Sequence, residues 1–438
     1  MKKILIALGL FLTFSMQAQV DRTQPKPGPA PKVNIGKPQS FTLPNGLTVM
    51  VVENNKLPRV TASLTIDNAP FAEGSKAGLG GLTGSLMGNG TSKISKDAYN
   101  EEIEFYGANV SLHVGGGYAS SLKKYFPRVL ELMALGAIDP LFAQEEFDKE
   151  KDKQIEGLKA GEKNVPAIAG RVRNVLAYGK NHPSGEFVTE ETLKNISLAD
   201  VKKHYANFFS PNNAYLIIMG DIKFDEAKKL VEKNFGKWKK GNSPKIEYPD
   251  PRDVQYTQIN FVDMPNAVQS EIALININKL RMTDKDYFAV LLANQILGGD
   301  FNSYLNMNLR EAHGWTYGAR SSIGATRYVS TFRASSSVRN AVTDSAVVEF
   351  LKEIKKIRTE KVDEKMLADT KAGYIGQFVM DIEKPQTVAR LALNSILYKL
   401  PDNFYENYIA NINAVTADDI HRVAQKYFSY DNSRIVVV

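Results

Sequence analysis

Apolar and polar side chains alternate with a period of two through Val60–Ile66, the pattern of a strand with one face buried. Just before it, Phe41–Val52 reads as two strand-like runs joined by the turn residues Pro44, Asn45 and Gly46. The spacing switches to a helical period in Lys96–Tyr106, Tyr125–Leu135, Gln144–Ala160 and Leu198–Phe209, and a further strand is predicted over Ala214–Met219. Between the first strands and these helices lies Gly78–Thr91, whose glycines each cost a helix interior roughly 1 kcal/mol. Any helix there must be held by packing rather than by propensity.

The strand and helix pattern breaks at Gly236–Arg252, a segment rich in proline, glycine and lysine that reads as a linker. Beyond it the chain echoes itself. Asp200-Val201, Phe209-Ser210, Asn213 and Ile217-Ile218 reappear as Asp419-Ile420, Phe428-Ser429, Asn432 and Val436-Val437, at one offset of 419 − 200 = 219 residues. Both copies predict a helix, an aromatic-Ser turn and an apolar strand, so the fold is expected to be α+β in two tandem related domains. The expected boundaries are 40–235 and 253–438, separated by the linker at 236–252. The same offset places the glycine-rich run opposite Leu297, which equates the helix following Gly298 with the helix at Gly78.

Residues 1–19 carry Lys2 and Lys3, an apolar run and a small-residue exit, the layout of a secretory signal peptide. The apolar run is shorter than the roughly 20 residues of a membrane span, so an exported protein, periplasmic or secreted, is expected. Residues 20–39 read as a flexible, Pro-rich arm. With no cysteine, the chain has neither a disulfide framework nor a lipid-modified cysteine. The net charge of +7 falls to 7 − 2 = +5 without the leader lysines, and the charges are interleaved. That balance, with no nucleic-acid-binding motif beside it, points to a mildly cationic solvated surface rather than a nucleic-acid footprint.

One stretch brings candidate chemistry together. Gly298–Ala319 reads as a glycine turn, a helix with apolar contacts from Phe301, Tyr304, Leu305, Met307 and Leu309, and a crossing after Gly314. Arg310 and Tyr317 can then face one cleft, where a guanidinium and a phenol donate hydrogen bonds to a peptide carbonyl and its oxyanion. The plain alternative is that Arg310 complements a helix C-terminus and Tyr317 is a solvent-facing aromatic. The five histidines, His113, His182, His204, His313 and His421, include no pair spaced for a helical metal site and read as turn or surface residues, with His313 near the cleft pair.

The paired halves, the HPSGE turn at 182–186, the segment ISLADVKKHYANFFSPNNAYLIIMGDI and the stretch LGGDFNSYLNMNLREAHGWTYGA together resemble the pitrilysin/insulinase family of inverted-zincin metallopeptidases, which includes the mitochondrial processing peptidase. The resemblance runs from about Phe41 to Val438. It implies mostly antiparallel sheets packed with helices, facing across a large chamber that admits unfolded peptides. Active members carry H-x-x-E-H on the first-half helix. In the equivalent frame this sequence places Gly81, Gly84 and Ser85, and the family's downstream glutamate position falls on Gly157, or on Glu156 if the frame slips by one.

The resemblance therefore implies a non-catalytic subunit with no metal of its own. A related zinc-bearing chain would form a heterodimer or heterotetramer with it, and Arg310 and Tyr317 would act on peptide substrate in that partner's site. The alternative is a peptide-binding or scaffold protein of the same fold without hydrolytic activity.

Overall fold

The computed structural model describes residues 38–438 apart from Asn242, Ser243 and Lys245. The signal peptide and nearly all of the proposed arm lie outside the described residues. Strands β1 (Gln39–Thr42) and β2 (Thr48–Glu53) pair antiparallel around the Pro44–Gly46 turn, followed by β3 (Arg59–Ile66). Helices α1 (Leu79–Leu86) and α2 (Lys96–Phe105) lead to the hairpin of β4 (Asn109–His113) and β5 (Gly116–Leu122). Then come α3 (Phe126–Ile138), α4 (Gln144–Ala160), α5 (Val165–Tyr178), α6 (Glu190–Lys194), α7 (Leu198–Phe208), β6 (Ala214–Gly220) and α8 (Phe224–Phe235).

The second half contains β7 (Gln258–Phe261), β8 (Gln269–Asn278), α9 (Tyr287–Asn294), the short α10 (Tyr304–Asn306), β9 (Ala319–Ile323) and β10 (Ser330–Arg339). It finishes with α11 (Thr343–Thr359), α12 (Glu364–Ile382), α13 (Pro385–Leu397), α14 (Tyr408–Ala414), α15 (Ala417–Tyr427) and β11 (Arg434–Val437).

The two sheets have the orders β1-β2-β6-β3-β5-β4 and β7-β11-β8-β10-β9. Apart from the extra edge strand β1, the orders match strand for strand, and each sheet has a single parallel pair, β2 with β6 and β7 with β11. The sequence echo thus marks two related halves. Its clearest local expression is a pair of capping boxes: Ser197 and Asp200 close the start of α7, and Thr416 and Asp419 close the start of α15.

Order and packing correct one expected equivalence. The counterpart of α1 is α9, because each is the first α-helix after the corresponding strand and each packs on the capped helix, α7 or α15. The segment Tyr304–Ala312 follows α9 as α2 follows α1. The offset has shrunk to 287 − 79 = 208 residues here, since the second half inserts more chain between this helix and its capped helix.

The halves are held together by exchanged helices. Ala169 and Ala177 of α5 pack on Ile275, Val436 and Val438 of the second sheet, while Ala389 of α13 packs on Met50, Ile217 and Met219 of the first. This explains why β6 is apolar on successive residues: Leu216 and Ile218 face the first core, and Ile217 and Met219 face α13. Arg327 adds an ion pair to Asp67 across the halves, with its Nη1 donating at 3.0 Å.

The repeat is incomplete at one edge. In the first half Val49 and Val51 are buried in the core that α8 and Trp238 complete. Their counterparts Ile259 and Phe261, aligned with Ile435 and Val437, are 70% and 68% exposed, and no helix among the described residues covers them. Truncating Val51 to alanine should cost about 2 kcal/mol, whereas Phe261→Ala should change stability by less than about 0.5 kcal/mol despite its larger side chain. Urea denaturation of the two variants checks this inversion of size by burial.

Candidate functional site

Helix α1 starts at Gly78, whose φ of 103° and close approach to Val188 and Leu193 suit glycine alone. Its exposed N–H groups are satisfied by Glu73, whose carboxylate accepts from Gly78 N at 2.7 Å and Gly80 N at 2.6 Å. Glu186 in turn accepts from the backbone N–H groups of Glu73 and Gly74. Along the helix, Leu82 and Leu86 are buried against Phe147 and Ile155 of α4 and Val201 of α7. The cap and this packing offset the glycines' poor propensity.

Burial pushes the Glu73 carboxyl above its ordinary range, against hydrogen bonds from Gly80 and Gly78 that pull it down, and Glu186 adds to the rise. His204 of α7 has its Nε2 3.8 Å from Glu73 Oε1, too far for a hydrogen bond, and both its ring nitrogens are buried without partners. Desolvation lowers its pKa to about 4. The expectation of surface or turn histidines fails for His204, 5% exposed within α7; His182 lies in the expected turn but is only 3% exposed. Both fill aromatic clusters: His204 lies near Phe71 and Phe208, and His182 stacks on Tyr178. Spacing alone does not reveal a core histidine.

The positions that the resemblance assigns to a lost metal site lie on α1 and α4, which pack together. Gly81 and Ser85 share one face of α1 at a spacing of four residues. The Ser85 hydroxyl is donated to Leu82 O at 3.0 Å and accepts weakly from Gln154 Nε2 of α4 at 3.4 Å. Gly157 follows Gln154 by three residues, and Glu156 is exposed and paired with Lys159. A Cβ at Gly81 or Gly157 would meet no atom within 4 Å; at Gly84 it would touch the backbone of Val114 and His113 at 3.4 and 3.5 Å and the His113 Cβ at 3.6 Å.

Three of these four positions offer no donor atom and the fourth already uses its hydroxyl, so they do not fit a zinc ion. Among the described residues, no group of three or more His, Asp or Glu side chains could hold a metal. Gly81→Ala and Gly157→Ala should each raise stability by about 0.5–1 kcal/mol, since both are helical and both have space for a methyl group. Thermal denaturation of the single and double variants tests this, with additive gains expected.

The second-half stretch is built differently from a simple helix. Gln295–Gly299 forms a π-helical turn, α10 is one short turn, and Met307–Ala312 is π-helical again before Gly314 turns the chain at φ 62°. Such widened turns recur at functional sites. Leu305 and Leu309 anchor the segment in the core, whereas Phe301 and Met307 are 49% and 43% exposed.

Phe301 instead supports Arg310. The guanidinium lies 4.5 Å from the ring centroid, and its Nη1 donates to Glu311 at 2.9 Å. Asn308 fixes the turn from behind by donating to Glu349 and Glu353 of α11, each at 2.6 Å. Asn306, fully buried, ties Phe301 O to Ala319 N. Tyr317 sits between Thr316 and Gly318, where the Thr316 hydroxyl accepts from Gly318 N at 3.0 Å, and it is 94% exposed. No hydrogen bond joins Arg310 to Tyr317 among the described residues. The scaffold therefore presents two donors to solvent, one braced and one projecting. His313 is exposed and stacks on Trp315 at 4.0 Å, taking no part in the pair.

Family models match both halves: the insulinase (peptidase family M16) model over residues 48–186, and the peptidase M16 inactive domain model over residues 195–374. The chain belongs to the insulinase family. Among its relatives, an uncharacterized zinc protease, YmxG, of Bacillus subtilis is 22% identical, with 89% of this chain and 96% of the relative aligned. A protein named non-peptidase homolog YmxG, from Helicobacter pylori, is 21% identical over 100% of this chain and 98% of its own. The mitochondrial-processing peptidase subunit beta of Blastocladiella emersonii is 25% identical over 62% of this chain and 58% of its own. A crystal structure of a peptidase M16 inactive domain from Pseudomonas fluorescens superposes with a TM-score of 0.81 at 21% identity, covering 91% of this chain and 97% of that one. Family membership and the two-halved α+β fold are thereby shown, and the relatives include a protein named a non-peptidase.

Proposed function

We propose that this insulinase-family chain is the non-catalytic, substrate-binding and oxyanion-stabilising subunit of a heteromeric zinc peptidase acting on unfolded peptides. The observation that carries the reading is the contrast between its halves. On α1 and α4 the positions of the family's metal site hold glycine and serine, while Arg310 and Tyr317 stand braced and exposed on the other half. A related partner chain supplies zinc, its ligands and the general base, and closes the peptide chamber. Arg310 and Tyr317 orient the substrate carbonyl and donate to the oxyanion as it forms. The relative named a mitochondrial-processing peptidase subunit supports a two-chain enzyme, and periplasmic PqqL of Escherichia coli among the structural neighbours supports an exported one. Among the described residues, no helix is long and apolar enough to cross a membrane.

The test is co-purification from the native source, followed by zinc content and peptide cleavage measured on the complex and on each separated chain. The expected result is zinc and weak or absent cleavage in the partner, neither in this chain, and full cleavage in the mixture. A scaffold or peptide-binding role without hydrolysis is favoured by the relative named a non-peptidase, and it predicts no cleavage in any mixture.

A further inference from the structure

We propose that a cavity in the second half is a binding site for a short peptide segment carrying a cationic side chain flanked by apolar ones. The cavity has a volume of about 1010 Å³ and opens between the π-helical turn Gln295–Gly299 and helices α12, α13 and α14. Neither Arg310 nor Tyr317 lines it, and the proposal does not depend on a partner chain.

Three features specify the occupant. The inner wall is aromatic: Tyr287, Tyr374, Phe378 and Tyr408 line it, with the last two stacked at 4.3 Å. Such rings favour apolar side chains and offer their faces to a cation.

The polar lining carries an excess of carboxylates. Asp300, Asp363, Asp369 and Asp381 stand against Lys365 and Arg390, a formal balance of 2 − 4 = −2. Asp369 is paired with Lys365 at 2.6 Å and Asp381 with Lys384 at 2.7 Å. The carboxylates of Asp300 and Asp363 accept from uncharged groups, Gln295 Nε2 and Asn302 N at the first and Met366 N at the second, while the Arg320 guanidinium donates to the Asp300 main-chain oxygen at 2.9 Å. Neither carboxylate has a cation within ion-pair distance among the described residues, so a ligand cation would complete the site.

Finally, one lining hydroxyl is buried without a hydrogen-bond partner, Ser303 Oγ, in a residue only 1% exposed. Buried polar atoms are rarely left unsatisfied, and a peptide backbone offers the complementary groups. The volume is that of a drug-sized ligand, enough for two or three residues rather than a folded surface.

The experiment is titration calorimetry of the purified chain with the capped peptides Ac-Phe-Arg-Leu-NH2 and Ac-Phe-Gln-Leu-NH2. The arginine peptide should bind about tenfold more tightly, a preference that shrinks at high salt. In the double variant Asp300→Asn, Asp363→Asn, which keeps a side-chain acceptor at the α12 cap, the preference should fall to about twofold or less. Ser303→Ala should weaken both peptides alike, about two- to fivefold, without lowering the thermal midpoint, because it removes a hydroxyl that has no partner in the free protein. Equal affinity for the two peptides, no binding by either at millimolar concentration, or an undiminished preference in the folded double variant would each overturn the proposal. None of these outcomes bears on the two-chain peptidase reading, which is judged by cleavage.

Discussion

In the reconstituted peptidase, Arg310→Ala should lower turnover about a hundredfold while the complex still assembles, and Tyr317→Phe should lower it at least about tenfold. The physical basis is differential: a donor aimed at developing negative charge gains strength as the carbonyl becomes an oxyanion, so its loss appears in kcat more than in KM. Assembly should survive because neither side chain is part of a core. Tyr317 is 94% exposed, and Arg310 is held by surface contacts with Phe301 and Glu311. Arg310→Lys should recover little, since an ammonium cannot reproduce the planar fork stacked on Phe301. Steady-state kinetics with a quenched peptide, alongside size-exclusion chromatography of each complex, make the measurement. Unchanged turnover in both variants would remove the pair from the mechanism.

The second large effect is on stability and concerns His204. Its folded pKa is about 4, against 6.5 for an unperturbed histidine, because burial disfavours the imidazolium. A depressed folded pKa contributes stability that is fully present above the unfolded value and is lost as pH falls through the folded one. Between pH 6.5 and 4 this group alone should therefore remove about 3 kcal/mol of stability. The facing carboxyl, Glu73, works in the opposite direction. Its pKa is raised, first by burial, so its contribution is present below the ordinary carboxylate range and fades as pH rises through its folded pKa. The clean comparison is therefore His204→Phe in both the wild-type and Glu73→Gln backgrounds. Phenylalanine suits the aromatic cluster with Phe71 and Phe208 and removes two unpartnered nitrogens, so stability at pH 7 should hold or rise. Urea denaturation at pH 7, 5.5 and 4 should give a flatter profile for the variant. Parallel profiles would show that His204 does not titrate in this window.

Because Glu73 caps α1, acid loosening centred on this cluster should begin at the helix that carries Gly81, Gly84 and Ser85. The glycine-rich helix is thus held by the Glu73 carboxylate and by the packing of its own Leu82 and Leu86 rather than by intrinsic helix propensity. The sequence posed that question through its glycines and left it unanswered. Glu73 lies outside the helix, and Phe147, Ile155 and Val201 come from segments far along the chain.

Local patterning read the local elements well. Period-two alternation located β3, and the charged run Gln144–Ala160 is α4 with the expected bounds, because an exposed helix declares itself through its own side chains. The two halves were legible for a similar reason: the capping boxes at Ser197 and Thr416 and the strands after them obey local rules repeated at a fixed spacing.

Where loop lengths differ, that spacing drifts, so counting residues equated the wrong helices. Sheet order and packing partners, which ignore loop length, correct the match to α1 with α9. The exchange of α5 and α13 between the halves left no local trace either, because an apolar stripe on a helix does not say which sheet it covers.

By itself, then, the sequence determined the residue types available for chemistry: no donor at Gly81, Gly84 or Gly157, and a guanidinium and a phenol at Arg310 and Tyr317. Only the tertiary structure decided their setting. It braced Arg310 on Phe301 through a π-helical turn, left Tyr317 in solvent, buried His204 beside Glu73 and opened an aromatic cavity beneath Asp300. Residue identity fixes what a group can donate or accept, whereas burial and the company it keeps come from contacts between distant segments, which a linear pattern does not encode.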